Sequence, residues 1–550
     1  MDSTPSCQKK RIVILGAGFG GVYTAMHLEK LLKKQNDYEI ILVNKENYFI
    51  YQPMLAEVVG GSVGLIDTVS SLRKLLPKTT LFVREIDNID LDKKIVSLSP
   101  QFSHAAYELH YDHLVFALGT VTDFRGIPGI HEHALPFKTL ADAIVIRNRI
   151  IDVVECAASE PDPIIQKELL SFVIGGGGFS GVEVAAELND FVRALVKKYP
   201  TIDPTIVRVV LVHSQQRLME KELSESLGLY AEKILTKRGV EIRFNQRLTS
   251  ASLNEAIIDH TEIVRAKTVI STVPSSPNPL LEKLSLPLVK GKIKTNSFLL
   301  VDGYEDLWAL GDCALIPLET GKFAPPTAQF ALREGKTLAK NIVAQIRRTP
   351  MNSFHFKSLG MLGALGHRSA VAELFGRFKF SGIPAWLLWR AIYWMKLPGF
   401  DRKIKVAFSW MLDAIIPIES VQLKLTPTRG IIQLHYEEGE IIFQEGDIGD
   451  YLYIIVAGKV EVLKEKEGQQ VCVATLGAGE YFGELAILNE KRRFATVRSI
   501  TKVDVLALRK GDFGALMANL ESLREGFEDT GKKRKEALEK FQPFKKDKIA

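Results

Sequence analysis

RIVILGAGFGG, residues 11–21, is an apolar run that breaks into glycine. The run reads as a buried strand, the glycines as a tight turn, and the stretch through Leu32 as a helix. EIILV at 39–43 follows as the next parallel strand. The unit is β-α-β, with G-x-G-x-x-G at its first turn. Gly16 permits the turn, Gly18 lets the backbone approach a pyrophosphate, and Gly21 lets the helix pack on the strand. The helix start then offers free N–H groups and a positive dipole end to phosphate.

The pattern recurs. SFVI at 171–174 leads into GGGGFSGVEVAAELNDF, and VRVVLV at 207–212 is the following strand. Gly176, Gly178 and Gly181 repeat the three roles, with Gly176 standing 160 residues after Gly16. Two such units in one chain predict an α/β protein with two nested Rossmann-like dinucleotide-binding domains. They also imply two dinucleotides: a resident flavin and a visiting nicotinamide. YDHLVFALGT (111–120) ends in Gly119, and VDGYEDLWALGDCA (301–314) reaches Gly311 and Asp312. Asp312 is either a turn aspartate or a hydrogen-bond partner for a flavin ribityl hydroxyl.

The 550 residues suit three or four domains, and 46% apolar residues exclude a disordered chain. No apolar run reaches 18 residues, which excludes a polytopic membrane protein. Cys7, Cys156, Cys313 and Cys472 form no C-x-x-C pair and no metal cluster, so no metal is expected. MDSTPSCQKK has no apolar core of a secretory signal.

The chain from about 8 to 425 resembles the type II NADH dehydrogenases, non-pumping NADH:quinone oxidoreductases. ILGAGFGG, NYFIYQPMLAEV, YDHLVFALGT, IPGIHEHALPFKTLADA, VIGGGGFSGVEVAAEL, LWALGDCA and PPTAQFALREG carry the likeness, in family order and spacing. The resemblance implies FAD at Gly16, Gly18, Gly21, Asn44, Lys45, Gly119, Asp312 and Gln329. It implies NADH or NADPH at Gly176, Gly178, Gly181, Glu183 and His213, and a quinone end near Ala328, Gln329 and Ala331. Hydride would pass to the flavin, then two electrons to a membrane quinone. Glu183 would position the nicotinamide, Gln329 would meet the quinone headgroup, and Glu334 is a proton-relay candidate. Related disulfide reductases carry a redox cysteine pair that is missing here.

Three positions depart from the family pattern. Asn44 stands where an acid usually grips the FAD ribose. His213 replaces the Glu that would bind the NADH ribose 2′-OH, which removes a repulsion against a 2′-phosphate, and Arg217 lies nearby to attract one. Arg333 and Glu334 occupy positions where many members have two Gln, leaving a non-quinone acceptor open.

Phe375–Trp410 holds seven basic residues and one acid, a net +6 that equals the charge of the whole chain. It also holds Trp386, Trp389, Trp394 and Trp410. IPAWLLWRAIYWMKL (383–397) is too short to span a bilayer, and Arg390 and Lys396 can snorkel. The stretch therefore predicts peripheral attachment to anionic lipid on the cytoplasmic face of the cell membrane. The alternative is a helix buried against the body or a dimer partner.

Past about 430, short alternating strands separated by glycine turns predict an all-β unit. YFGELAILNEKRRFATV (481–497) looks like a phosphate cradle: amides at Gly483, Glu484, Leu485 and Ala486, Arg493 for the phosphate, and Glu484 for a ribose hydroxyl. With Ala495 and Thr496 this resembles the cyclic nucleotide-binding β-roll of catabolite activators and cyclic-nucleotide-dependent kinases. Phe494 stands where cGMP-selective members often carry a hydroxyl, which favours cAMP. A β-roll used only for assembly is the alternative. One charged helix follows instead of a helix-turn-helix, so no nucleic-acid partner is expected, and KKRKEALEKFQPFKKDK reads as a solvated or membrane-facing tail.

The expected domains are 8–168 with 295–345 (FAD), 169–294 (NAD(P)H), 346–428 (a basic aromatic segment associating with membrane) and 429–545 (cyclic nucleotide). The competing function is a cyclic-nucleotide or redox sensor with a degenerate oxidoreductase part. The membrane stretch or the C-terminal helix could each mediate a dimer.

Overall fold

Both glycine motifs fold as strand, turn and helix. The structure, a computed structural model, describes residues 9–35, 37–99, 107–122, 127–252, 254–272, 276–413, 421–422, 431–436, 438–447, 449, 451–466, 469–487, 492–509 and 530–536. The chain divides into two compact units: residues 1–424 without 86–89 and 95–109, and those two segments with 425–550.

The larger unit contains β1 (Lys10–Leu15), α1 (Phe19–Leu31), β2 (Tyr38–Asn44), β3 (Thr80–Val83), β4 (His113–Phe116), β5 (Ala134–Pro136), β6 (Ser171–Gly175), α2 (Phe179–Val196), β7 (Arg208–His213), β8 (Val240–Phe244), β9 (Thr268–Ser271), β10 (Leu307–Ala309) and α3 (Ala328–Ile346). They build two five-stranded sheets, ordered β10-β4-β1-β2-β3 and β5-β9-β6-β7-β8. All pairings within them are parallel. A parallel sheet is covered on both faces, so its strands are apolar throughout rather than alternating. Ile12 to Leu15 and Phe172 to Ile174 are fully buried accordingly.

α1 and α3 cross closely: a Cβ on Gly335 would stand 2.8 Å from the Gly20 carbonyl oxygen. This crossing carries the start of α3 to the first glycine loop. An antiparallel sheet of β11 (Gly360–Ala364), β12 (Ala370–Leu374) and β13 (Phe378–Gly382) then leads into α4 (Ile383–Lys396) and α5 (Phe400–Asp413). Among the described residues no helix is long and apolar enough to cross a membrane.

The aromatic stretch folds differently from its sequence reading. Trp389 is buried, and Trp386 and Trp410 lie 4.0 and 4.7 Å from the Arg390 guanidinium. Arg390 does not snorkel: it reaches Glu57 at 3.5 Å and Asp413 at 3.6 Å. A cation flanked by two indoles and two carboxylates is better compensated inside than at a surface. The exposed apolar residues are mainly aliphatic and phenylalanine, Phe378, Ile383, Leu387, Met395, Phe400, Ile404 and Phe408 among them, and of the four tryptophans Trp394 is exposed with them.

In the smaller unit, β14 (Ile431–Tyr436), β15 (Ile441–Phe443), β16 (Tyr451–Ala457), β17 (Lys459–Lys466), β18 (Gln469–Gly477), β19 (Tyr481–Phe482), β20 (Thr496–Ser499) and β21 (Val503–Arg509) form two four-stranded sheets, β14-β21-β16-β19 and β15-β20-β17-β18. Between them lie Phe443, Tyr453, Val460, Val462, Val497 and Val505. The expected boundary at TPTRG and most of the helix expected over 512–545 lie outside the described residues; 530–536 is helical.

Candidate functional site

The first glycine loop is built for close approach. Gly16 has φ +99°, and a Cβ there would stand 2.4 Å from the Ala117 carbonyl oxygen. A Cβ on Gly21 would meet the Gly16 oxygen at 1.9 Å, whereas one on Gly18 would meet nothing within 4 Å. α1 starts at Gly18 with no side-chain cap and no acid in its first turn, which leaves its amides open to an anion. The second loop repeats this: Gly176 has φ +115°, and a Cβ on Gly181 would stand 1.7 Å from the Gly176 oxygen. α2 likewise starts uncapped, at Gly178.

The strand ends pin both loops. Asn44 Oδ1 accepts from the Ala17 amide at 2.9 Å, and His213 Nδ1 accepts from the Gly177 amide at 3.0 Å. The other histidine nitrogen, Nε2, lies 3.1 Å from the Arg217 carbonyl oxygen. Both ring nitrogens are thus engaged with backbone rather than turned toward a ribose. Arg217 donates to the Leu223 and Glu220 carbonyls. Lys45 pairs with Glu85 at 3.0 Å on the surface.

Gly119 takes φ +61° with open space beyond it. Asp312 follows the Gly311 turn; burial raises its pKa, and Lys292 and Lys138 oppose that rise. No described group donates a hydrogen bond to it. An uncapped helix start, an open glycine and a carboxylate free to accept fit the pyrophosphate and ribityl chain of FAD. Lys138 was not singled out from the sequence, although it stands in the quoted PFKTL; its Nζ donates to Thr120 O at 2.6 Å and Oγ1 at 2.8 Å. Cys313 is buried, and burial pushes its thiol up to about 11, unlike a reactive thiol.

Where α1, α2, α3, β11 and α4 meet lies a cavity of about 320 Å³. Phe19, Tyr51, Glu183, Gln329, Tyr393 and Lys396 line it. Glu183 Oε1 accepts from the Ala364 amide at 3.0 Å. Burial pushes its carboxyl up to about 8; that amide opposes the rise and Glu57 adds to it. Gln329 lines the cavity, but Nε2 donates to the Gly360 carbonyl and Oε1 accepts from the Leu359 amide, so its amide holds β11 in place. Glu334 is not in the lining. It is buried behind the Gly311 turn, where Oε2 accepts from the Gly311 amide at 2.8 Å, and burial pushes it up to about 7. Lys396, expected to snorkel, instead faces the cavity, and burial lowers its pKa.

The second cradle is in the β-roll. Glu484, Leu485 and Ala486 form a buried helical turn after Gly483, which has φ +87°. The buried Arg493 donates from Nη1 to the Gly483 carbonyl and from Nη2 to the Tyr451 carbonyl, each at 2.9 Å. Ala495 is buried, and Thr496 Oγ1 accepts from the Glu445 amide. Arg534 departs from the reading of a solvated basic tail. It is buried, with Nη1 3.1 Å from Glu484 Oε1 and 2.8 Å from the Tyr481 carbonyl oxygen. In sequence it is one of several cations in a Lys-rich run, and nothing there distinguishes it.

The sequence profile of the pyridine nucleotide-disulphide oxidoreductases matches residues 10–335. The chain belongs to this family. The cyclic nucleotide-binding domain profile matches residues 433–519, so both resemblances read from the sequence hold. As a pyridine nucleotide-disulphide oxidoreductase, the chain is similar to a Synechocystis demethylphylloquinone reductase, with 29% identity over 410 residues covering 73% of this chain and 96% of the relative. It is similar to the Staphylococcus aureus type II NADH:quinone oxidoreductase, with 29% identity covering 67% and 90%. Among solved structures, Plasmodium falciparum NDH2 in complex with NADH shares the fold, with a TM-score of 0.69 at 18% identity, covering 75% of this chain and all of that one.

Proposed function

We propose that this chain is a type II NAD(P)H:quinone oxidoreductase whose C-terminal domain takes a cyclic nucleotide, with cAMP favoured. The carrying observation is the cavity at the meeting point of the two glycine-loop helices, with Glu183 in its wall. The printed names of the quinone-reducing relatives support the acceptor.

The net reaction is NAD(P)H + H⁺ + quinone → NAD(P)⁺ + quinol. Bound FAD would supply the hydride acceptor and the two-electron donor. Gly16, Gly18, Gly21, Gly119 and Asp312 would hold it, and the Gly176–Gly181 loop would hold the nicotinamide nucleotide. The chain's own contribution is placement and protons. With a pKa near 8, Glu183 carries its proton at neutral pH. Oε1 accepts from the Ala364 amide, which leaves Oε2 to carry the proton, and the residue lines the cavity. Phe19, Tyr51 and Tyr393 give the cavity an aromatic wall that suits a quinone ring. The exposed apolar face of α4 and α5, next to Lys403 and Lys405, suits peripheral attachment to an anionic bilayer, from which a quinone would enter. The proposed domains remain those expected from the sequence, and the proposed location is the cytoplasmic membrane face.

The test is anaerobic flavin bleaching of the purified protein by NADH or NADPH, with and without cAMP, followed by a short-chain quinone. Bleaching, reoxidation by quinone and a cAMP-dependent rate are expected. Bound flavin that neither nucleotide bleaches would move the function to sensing; bleaching without quinone reoxidation would point to another acceptor.

A further inference from the structure

The two nucleotide loops are pinned by the same device made from different residues. At the end of β2, Asn44 accepts from the amide of the second loop residue, Ala17, and at the end of β7, His213 accepts from that of Gly177. An amide oxygen keeps its lone pairs at any ordinary pH. An imidazole nitrogen accepts only while it is neutral. The Nδ1 contact with an N–H and the Nε2 contact with the Arg217 carbonyl select one neutral tautomer, with the proton on Nε2. The ring has little freedom to turn away, because a Cβ on Gly177 would stand 2.4 Å from its Cγ.

We infer that His213 is a positioning residue that holds the second glycine loop through its Nδ1 lone pair, so that capture of the nicotinamide nucleotide requires a neutral imidazole whereas retention of the flavin does not. The inference rests on the proposed assignment of that loop to the nicotinamide nucleotide. Protonation places an N–H against the Gly177 N–H and removes the pin. The charged groups that act on the ring are Glu220 and Lys221 of the following segment; the strand partner on β8 is the uncharged Phe244. Burial lowers the imidazole pKa from 6.5, Lys221 acts in the same direction, and the Arg217 carbonyl and Glu220 oppose them. The loss therefore falls on the acid side of pH 6.5.

Calorimetric titration of the flavin-loaded full chain with NAD⁺ and NADP⁺ between pH 5 and 8 tests this. Wild-type affinity should hold at the alkaline end, then weaken toward a limit of about tenfold per pH unit as one proton is taken up. His213→Ala should bind weakly throughout, with no such pH step. His213→Asn, which copies the flavin-side device, should restore binding and stay flat with pH. Flavin content should be the same in all three. A wild-type pH step that persists in His213→Asn, or wild-type affinity in His213→Ala, would overturn the inference. If wild type binds neither nucleotide at pH 8, the functional proposal fails instead. Hydrogen exchange of the peptide spanning 175–181 then still decides the pin: protection should fall in His213→Ala and return in His213→Asn, and equal protection in all three would reject it.

Discussion

Glu183 is a carboxyl whose surroundings favour its acid form. In the folded protein its pKa rises from 4.5 to about 8, so the native state holds a proton that the unfolded chain releases. The sign follows: this contribution to stability is fully present below pH 4.5 and is lost as the pH rises through about 8. Glu183→Gln keeps an oxygen for the Ala364 amide and removes the titration. Its melting temperature should gain on wild type steadily from pH 5 to 8 and level off above that. Quinone reoxidation of the reduced flavin should lose its pH dependence near 8 in the same variant. A melting difference that is constant across the range would mean that the carboxyl is not proton-bound when folded. The glycines offer a second residue-scale contrast. Gly176→Ala would bring a Cβ within 2.5 Å of Thr272 Oγ1 at a positive φ, so nucleotide bleaching should be lost while flavin content, measured by absorbance, persists. Gly16→Ala should lose the flavin itself.

Among the elements, α4 and α5 share one cation that ties them to the body. Arg390 on α4 bridges Glu57 and Asp413, and Trp410 Nε1 donates to Glu57 Oε2 at 3.2 Å. Burial pushes Glu57 up to about 7, against the pull of Arg390. Arg390→Met would strip a buried carboxylate of its partner, a loss of about 3–5 kcal/mol. Adding Glu57→Gln should recover much of that, and thermal melts of the two single variants and the double variant measure the coupling. The outward face makes a separate prediction. Ile404→Asp with Phe408→Asp leaves Arg390 and its partners untouched, so the melt should barely move while cosedimentation with anionic vesicles falls several-fold. Unchanged cosedimentation would leave that face for a protein partner.

For the whole molecule, the oxidoreductase and cyclic-nucleotide units contain their own cores and their own cradles. Arg493→Ala should therefore abolish cAMP binding by calorimetry while nucleotide bleaching without cAMP stays at the wild-type rate. A cAMP effect on bleaching that survives Arg493→Ala would exclude the β-roll as its origin.

The sequence alone determined the elements whose cause is local. Glycine at a positive φ, an apolar run for a strand buried on both faces, and a helix start without a cap are consequences of neighbouring residues, so the backbone of both glycine loops and of the turn after Gly483 was legible. Residues distant in sequence were not. Nothing within PAWLLWRAIYW indicates that Arg390 turns inward, because the reason is Glu57, more than 300 positions earlier. Nothing in LVHSQQR shows that His213 serves the loop rather than a ribose, because that depends on how the end of β7 meets Gly177. Gln329 and Glu334 stand in one motif on one helix, yet one lines the cavity and the other braces the Gly311 turn. Tertiary structure decided these cases for a single physical reason: a polar side chain leaving water takes the partner that packing brings to it, and residue type and spacing do not name that partner.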